Sequence, residues 1–286
     1  MTEGLGAAPA PRGTPTGVGA PARRPRGPRG PRGATALGVV GELLLTLGVL
    51  LGLFVVWQLW WTDVVADGQQ AQVVEDLGWA VTGPADAAPE AAGPDGTAPG
   101  TAPTAPPADD PPVPLEPSHA TTFATLQVPR WGTDYVRPIS QGTSRADVLD
   151  VLGLGHYEGT AMPGAVGNFA VAGHRTTYGK PLHRVEELEI GDPLVVQTQD
   201  AWYVYRVTST QVVLPHQVEV IAPVPGEPEA QPTERVMTLT TCHPLYSARE
   251  RFVVHATLDR WLPAAAGVPA ELTAGPTGSP TGTGGA

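Results

Sequence analysis

The chain has 286 residues, 35 of them glycine and 33 proline, so about a quarter of it is poorly suited to helix or strand interiors. Only 16% is charged and 6% aromatic, which fits one folded core of roughly 140 residues diluted by unstructured segments, not two cooperating domains. The single cysteine excludes a disulfide framework and a multi-thiolate zinc site.

The net charge of −11 is unevenly spread. Residues 1–33 hold six arginines and one acid, Glu3, for +5, and the remainder carries −16. The arginines sit in a Pro/Gly-rich tract before a hydrophobic run, not on a folded face. That pattern excludes nucleic-acid binding and reads as membrane topology. Residues 34–61 supply the roughly 20 apolar residues that a bilayer-spanning helix needs. Glu42 is their one charge, and Trp57, Trp60 and Trp61 mark the far interface. The run is too long for a signal-peptide core and lacks a small-residue cleavage site. Arginines before the span predict a cytoplasmic N-terminus and an extracellular body.

Beyond the span, Val64, Val65, Val73, Val74 and Leu77 predict a juxtamembrane amphipathic segment over residues 62–80. Residues 81–120 are a Pro/Ala/Gly/Asp tract, expected to be a disordered linker able to hold a domain on the order of 100 Å from the bilayer. Between 121 and 262, runs such as NFAVAGH, AWYVYRVTST, RVMTLTTC and RFVVHATL are rich in β-branched and aromatic residues. Each is bounded by turn formers, which predicts an all-β barrel or sandwich. Residues 143–155 and 183–189 read as short helical segments, and 263–286 as a disordered tail.

Cys242 is the only thiol, at the end of the strand MTLTTCHP, where a sheet can present it to a cleft. A cysteine nucleophile needs a proton-shuttling partner, usually histidine. Of seven histidines, His119 falls in the linker. His243 follows the cysteine and points to the other side if the strand continues. His156, His183, His216 and His255 read as surface or structural residues. His174 ends the apolar strand NFAVAGH, again at a strand end. Stabilising an oxyanion needs a donor, and Arg249 and Arg251 both follow the cysteine loop; alternation puts them on one face, so spacing does not choose between them.

Thr238-Leu239-Thr240-Thr241-Cys242, the short loop to RFVVHA, and the upstream Ala-Gly-His resemble the sortases, membrane-anchored cysteine transpeptidases of Gram-positive cell walls. The match is to the family motif TLxTC, and VPRWGTDYVRPISQGT with the loop HPLYSARE most resembles the actinobacterial class E. The resemblance implies an eight-stranded sortase-type β-barrel over 121–262. It assigns Cys242, His174 and Arg251 as catalytic, favouring Arg251 over Arg249, with Thr241 and the segment 212–234 at the substrate site. It further implies attack on the Thr–Gly bond of an LAxTG- or LPxTG-type signal on secreted surface proteins, and transfer through a thioester to a peptidoglycan precursor amine. Some sortases bind calcium near the groove wall. Here Glu219, Glu227, Glu229 and Glu234 are interrupted by prolines, so neither a metal nor another cofactor is expected. The rival readings are a thiol hydrolase on the same scaffold and a non-catalytic wall module. A thiol oxidoreductase is disfavoured by the absence of a resolving cysteine.

Overall fold

The computed structural model describes residues 36–82 and 110–273. The basic N-terminal stretch, residues 83–109 of the expected linker and residues 274–286 of the expected tail lie outside the described residues. The start of that tail is folded instead of disordered, with Leu272 buried against Val195, Trp202 and Val204 and Glu271 paired with Arg206 and Arg260. The chain divides into two compact units, Met1–Leu51 and Gly52–Ala286.

Helix α1 (Ala36–Asp76) runs through the expected span and the juxtamembrane segment without a break. No proline interrupts it, and its N-terminal part is apolar enough to cross a membrane. Leu44, Leu47, Phe54 and Val56 are all exposed, as expected of a helix that is hydrophobic on every side. The buried stripe of the C-terminal part keeps Val74 of the pattern predicted above but not Val64 and Val65. Ala66, Gln70 and Val74, one turn apart, are buried, whereas Val64 and Val65 are exposed. The partner surface is a set of loops with charged and polar groups, so apolar periodicity alone does not find it.

The expected β-barrel is present. Its strands are β1 (Thr122–Gln127), β2 (Val136–Gln141), β3 (Leu154–His156), β4 (Gly167–Ala172), β5 (Pro193–Thr198), β6 (Ala201–Val213), β7 (Arg235–His243) and β8 (Glu250–Pro263). They close in the order β1-β2-β3-β4-β7-β8-β6-β5. The pairs β2/β3 and β4/β7 are parallel and the others antiparallel. Alternation sorts each strand into an inner and an outer row. Phe169, Val171, Met237, Leu239, Val254 and Ala256 fill the interior with Tyr203 and Tyr205. Asn168, Ala170, Thr238, Thr240 and Cys242 therefore form the outer row of β4 and β7. The helical expectations become single turns, a π-type turn at Arg145–Leu149 and a 3-10 turn at Val185–Glu187.

The linker expectation is revised at both ends. The Gln127 and Gln197 side chains bond to the backbone of Trp79 and Val81. At the other end Tyr203 donates to the Pro112 carbonyl, Gln141 to Glu116, and Arg235 pairs with Asp110. His119, assigned to the linker above, stands 3.0 Å from Glu158. The described ends of the expected linker, Val81 and residues 110–119, thus rest on the barrel. Proline-rich composition signals an inability to build a core, but it does not prevent a segment from lying on one.

Candidate active site

The parallel register between β4 and β7 sets Ala172 beside Thr240 and brings the ends of these strands together. Gly173 donates its N–H to the Thr240 carbonyl, and Thr241 donates its hydroxyl to the Gly173 carbonyl at 2.7 Å. A Cβ at Gly173 would come within 2.6 Å of Leu154, so the chain turning toward His174 needs glycine for close packing. On the other side of β7, Cys242 and Arg251 are direct register partners in the β7/β8 ladder. Partners of this kind put their Cβ atoms roughly 5 Å apart on the same face.

One cavity of about 580 Å³ is lined by Cys242, His174, Arg251 and Thr241, together with Tyr157, Thr240 and Tyr246. Cys242 is partly exposed. Arg251 donates from Nη1 to the carbonyls of Ala248 and Glu250, which fixes its guanidinium beside the loop. Arg249 precedes β8, is exposed and does not line the cavity. A second cavity of about 220 Å³ shares Tyr157, Thr240 and Arg251 with the first. Its other wall includes Val213, Leu214, Val218 and Ile221, part of the 212–234 segment. Tyr157 and Thr240 bond to one another through their hydroxyls at 2.9 Å.

The expectation for Thr241 changes. It lines the cavity but is buried, and its hydroxyl hydrogen is engaged by Gly173, so it ties the two strand ends together instead of offering a donor to a ligand.

Two residues in the site were missed by sequence reasoning. Asp150 accepts a hydrogen bond from His174 Nε2 at 2.6 Å, which leaves Nδ1 as the ring nitrogen free of the carboxylate. Arg175, only 3% exposed, donates to the Cys242 carbonyl at 3.3 Å and pairs with Glu186 at 2.7 Å. That guanidinium, with His243 adding to it, holds the Glu186 carboxyl below its ordinary range. His243 Nδ1 stands near both Arg175 and Glu186, accepting from the first when neutral and donating to the second when protonated. It does not line the cavity, in keeping with its expected side of the strand. Asp150 lies in a stretch read as a helical turn, and nothing in the sequence pairs it with a histidine 24 positions away.

The remaining histidines have other roles. His156 is buried between Gln141, Thr160 and Ala161, and His255 is buried against Thr238 and Gln211. Desolvation lowers the pKa of both. His183 stands at the Arg175 carbonyl, and His216 is exposed. Among the described residues, no group of three His, Cys, Asp or Glu side chains stands close enough to hold a metal ion.

Comparison with known proteins adds a family likeness. A family model described as a sortase domain matches residues 126–259. Sortase SrtE1 of Streptomyces coelicolor (strain ATCC BAA-471 / A3(2) / M145) is 37% identical over 259 residues, covering 87% of this chain. This chain spans 65% of the length of that protein. Sortase SrtE2 of the same organism is 36% identical over 239 residues, covering 79% of this chain and 83% of the relative. Among solved structures, the SrtA sortase from Actinomyces oris superposes with a TM-score of 0.55 at 43% identity, covering 58% of this chain and 96% of the other. The SrtF sortase from Corynebacterium diphtheriae gives 0.53 at 33% identity, covering 58% and 98%.

Proposed function

The chain belongs to the sortase family of cysteine transpeptidases, and from that premise we propose that it is a membrane-anchored enzyme acting on LAxTG- or LPxTG-type sorting signals. The Cys242 sulfur attacks the carbonyl carbon of the threonine in the Thr–Gly bond. Arg251 stabilises the charge that develops on the carbonyl oxygen. His174 gives a proton to the leaving glycine nitrogen as the C–N bond breaks, and a thioester to Cys242 remains. An amine of a cell-wall precursor then attacks the thioester carbonyl, His174 takes the amine proton, and the thiolate leaves. Asp150, bonded to Nε2, holds the imidazole in one orientation through this exchange. Thr241 acts on the site by tying β4 to β7.

The observation that carries the reading is the convergence of Cys242, His174 and Arg251, from three separate strand ends, on one cavity. The second cavity, which shares Tyr157, Thr240 and Arg251 with the first, supports an extended peptide lying along the outer row of β7 toward the 212–234 segment.

The proposed layout is a basic cytoplasmic tail (1–33), a span (34–61), a juxtamembrane segment (62–80), a linker whose two ends rest on the barrel (81–120), an extracellular catalytic barrel (121–262) and a tail whose first residues pack on it (263–286). The test incubates the full chain with LAxTG and LPxTG peptides and an amine. Ligated product that depends on Cys242, His174 and the amine is expected. Peptide release to water at the same rate with or without amine would indicate a hydrolase, and activity in Cys242→Ala would remove the thioester altogether.

A further inference from the structure

His174 is oriented by Asp150, and both residues begin loops that pack against the C-terminal part of α1. Gln70 on this helix is fully buried and donates Nε2 to the Tyr178 carbonyl at 2.9 Å. Two glycines with positive φ flank its amide, Gly153 at +97° and Gly179 at +75°. A Cβ on Gly153 would stand 3.0 Å from the Gln70 amide carbon, and one on Gly179 would stand 2.9 Å from its nitrogen. Gly153 lies in the loop that starts at Asp150, and Gly179 in the loop that starts at His174. One side chain of α1 therefore fills the space between the two loops that meet in the Asp150–His174 hydrogen bond.

Charged groups on the same helix face reinforce the contact. Asp67 pairs with Arg137 at 2.8 Å, and the same guanidinium reaches the Gly179 carbonyl at 3.4 Å. Asp63 pairs with Lys180 at 3.0 Å. Asp63, Asp67, Gln70 and Val74 recur at intervals of three and four, one face of a helix. Tyr178, whose carbonyl Gln70 holds, has its ring 5.2 Å from the His174 imidazole.

We propose that residues 63–74 of α1 are a positioning element of the active site, clamping the two loops whose Asp150–His174 contact sets the imidazole. The proposal rests on the assignment of His174 as the acid–base group. Asp67 is six residues beyond Trp61 in an unbroken helix, about 9 Å along the axis. The residues that follow Trp61 in the same helix are thus the ones that support the catalytic histidine, and a barrel cut at residue 121 lacks this support.

The test uses the full chain in detergent micelles with sorting peptide and amine. It compares wild type, Gln70→Leu, Asp67→Arg, Arg137→Asp and the doubly reversed pair Asp67→Arg/Arg137→Asp. Each single variant is expected to lose about tenfold in kcat while the peptide KM stays within about twofold. The reversed pair is expected to recover most of the loss. Amide exchange over 174–180 is expected to quicken in the single variants and slow again in the pair. Wild-type kcat in the single variants, with His174→Ala inactive, overturns the clamp and leaves the catalytic assignment standing. Activity in His174→Ala overturns the assignment itself. Lost activity with no recovery in the pair and unchanged exchange at 174–180 also overturns the clamp.

Discussion

Arg175 donates its Nη1 proton to the backbone carbonyl of Cys242 at 3.3 Å from a side chain that is almost wholly buried. The residue after the histidine thus grips the strand end that carries the thiol, while Glu186 balances its charge. A buried cation held in this way is worth most when both partners remain. Arg175→Leu is expected to destabilise the barrel by about 1.5–3 kcal/mol, the range for a charge-assisted hydrogen bond. It should also lower kcat by loosening Cys242, with Arg175→Lys intermediate. Thermal unfolding and steady-state kinetics on the same preparations check both effects.

The two candidate arginines separate cleanly. Arg251 faces Cys242 across the ladder and lines the cavity, whereas Arg249 is exposed before the strand begins. Arg251→Ala is expected to reduce kcat by about a hundredfold or more, the usual loss for an oxyanion donor. Arg249→Ala should remain near wild type. The reverse order of the two variants would reassign the oxyanion role.

Asp150 acts through the imidazole, so its removal is expected to change kcat more than KM. Asp150→Ala should lower kcat by about tenfold to a hundredfold. Asp150→Asn keeps an oxygen within reach of Nε2 and should recover part of the loss. Equal kcat for the two variants would mean that the carboxylate has no special part in holding His174.

His156 and His255 give the barrel an acid limit. Burial lowers both pKa values, so the folded state disfavours their protonation while the unfolded chain takes it up near the ordinary value of 6.5. Stability is therefore full above that value and falls as the pH drops below it. His119 works in the opposite sense, because Glu158 raises its pKa; its contribution is present below 6.5 and is lost as the pH rises through the folded value. It is exposed, so its influence is small. The melting temperature is expected to fall between about pH 7 and pH 5. In a His156→Gln/His255→Gln chain the slope should flatten. An unchanged slope would show that other groups set the acid limit.

Strand alternation made the barrel legible, because each short β-branched run could bury only one row and each break carried glycine, proline or aspartate. Two of the residues that line the cavity were legible for a related reason, whereas spacing alone did not separate Arg251 from Arg249. Cys242 and His174 each end an apolar strand, and such positions meet at a rim when the strands pair. The linker was less legible, since its two ends lie on the barrel through a few hydrogen bonds with Gln127, Gln197, Gln141 and Tyr203 that leave no periodic trace.

The order of residues alone determined that the chain has one apolar span, one β core and one thiol at a strand end. These follow from local composition and period, which act over a few neighbouring residues. Only the tertiary structure decided that Asp150 holds His174, that Arg175 grips the Cys242 carbonyl, that Thr241 ties two strands, and that Gln70 of the juxtamembrane helix sits between the loops of the site. Those contacts join residues 24 to 108 positions apart. They arise from barrel closure and helix docking, and a hydrogen bond between distant polar side chains has no signature until the backbone brings its two ends within 3 Å or so.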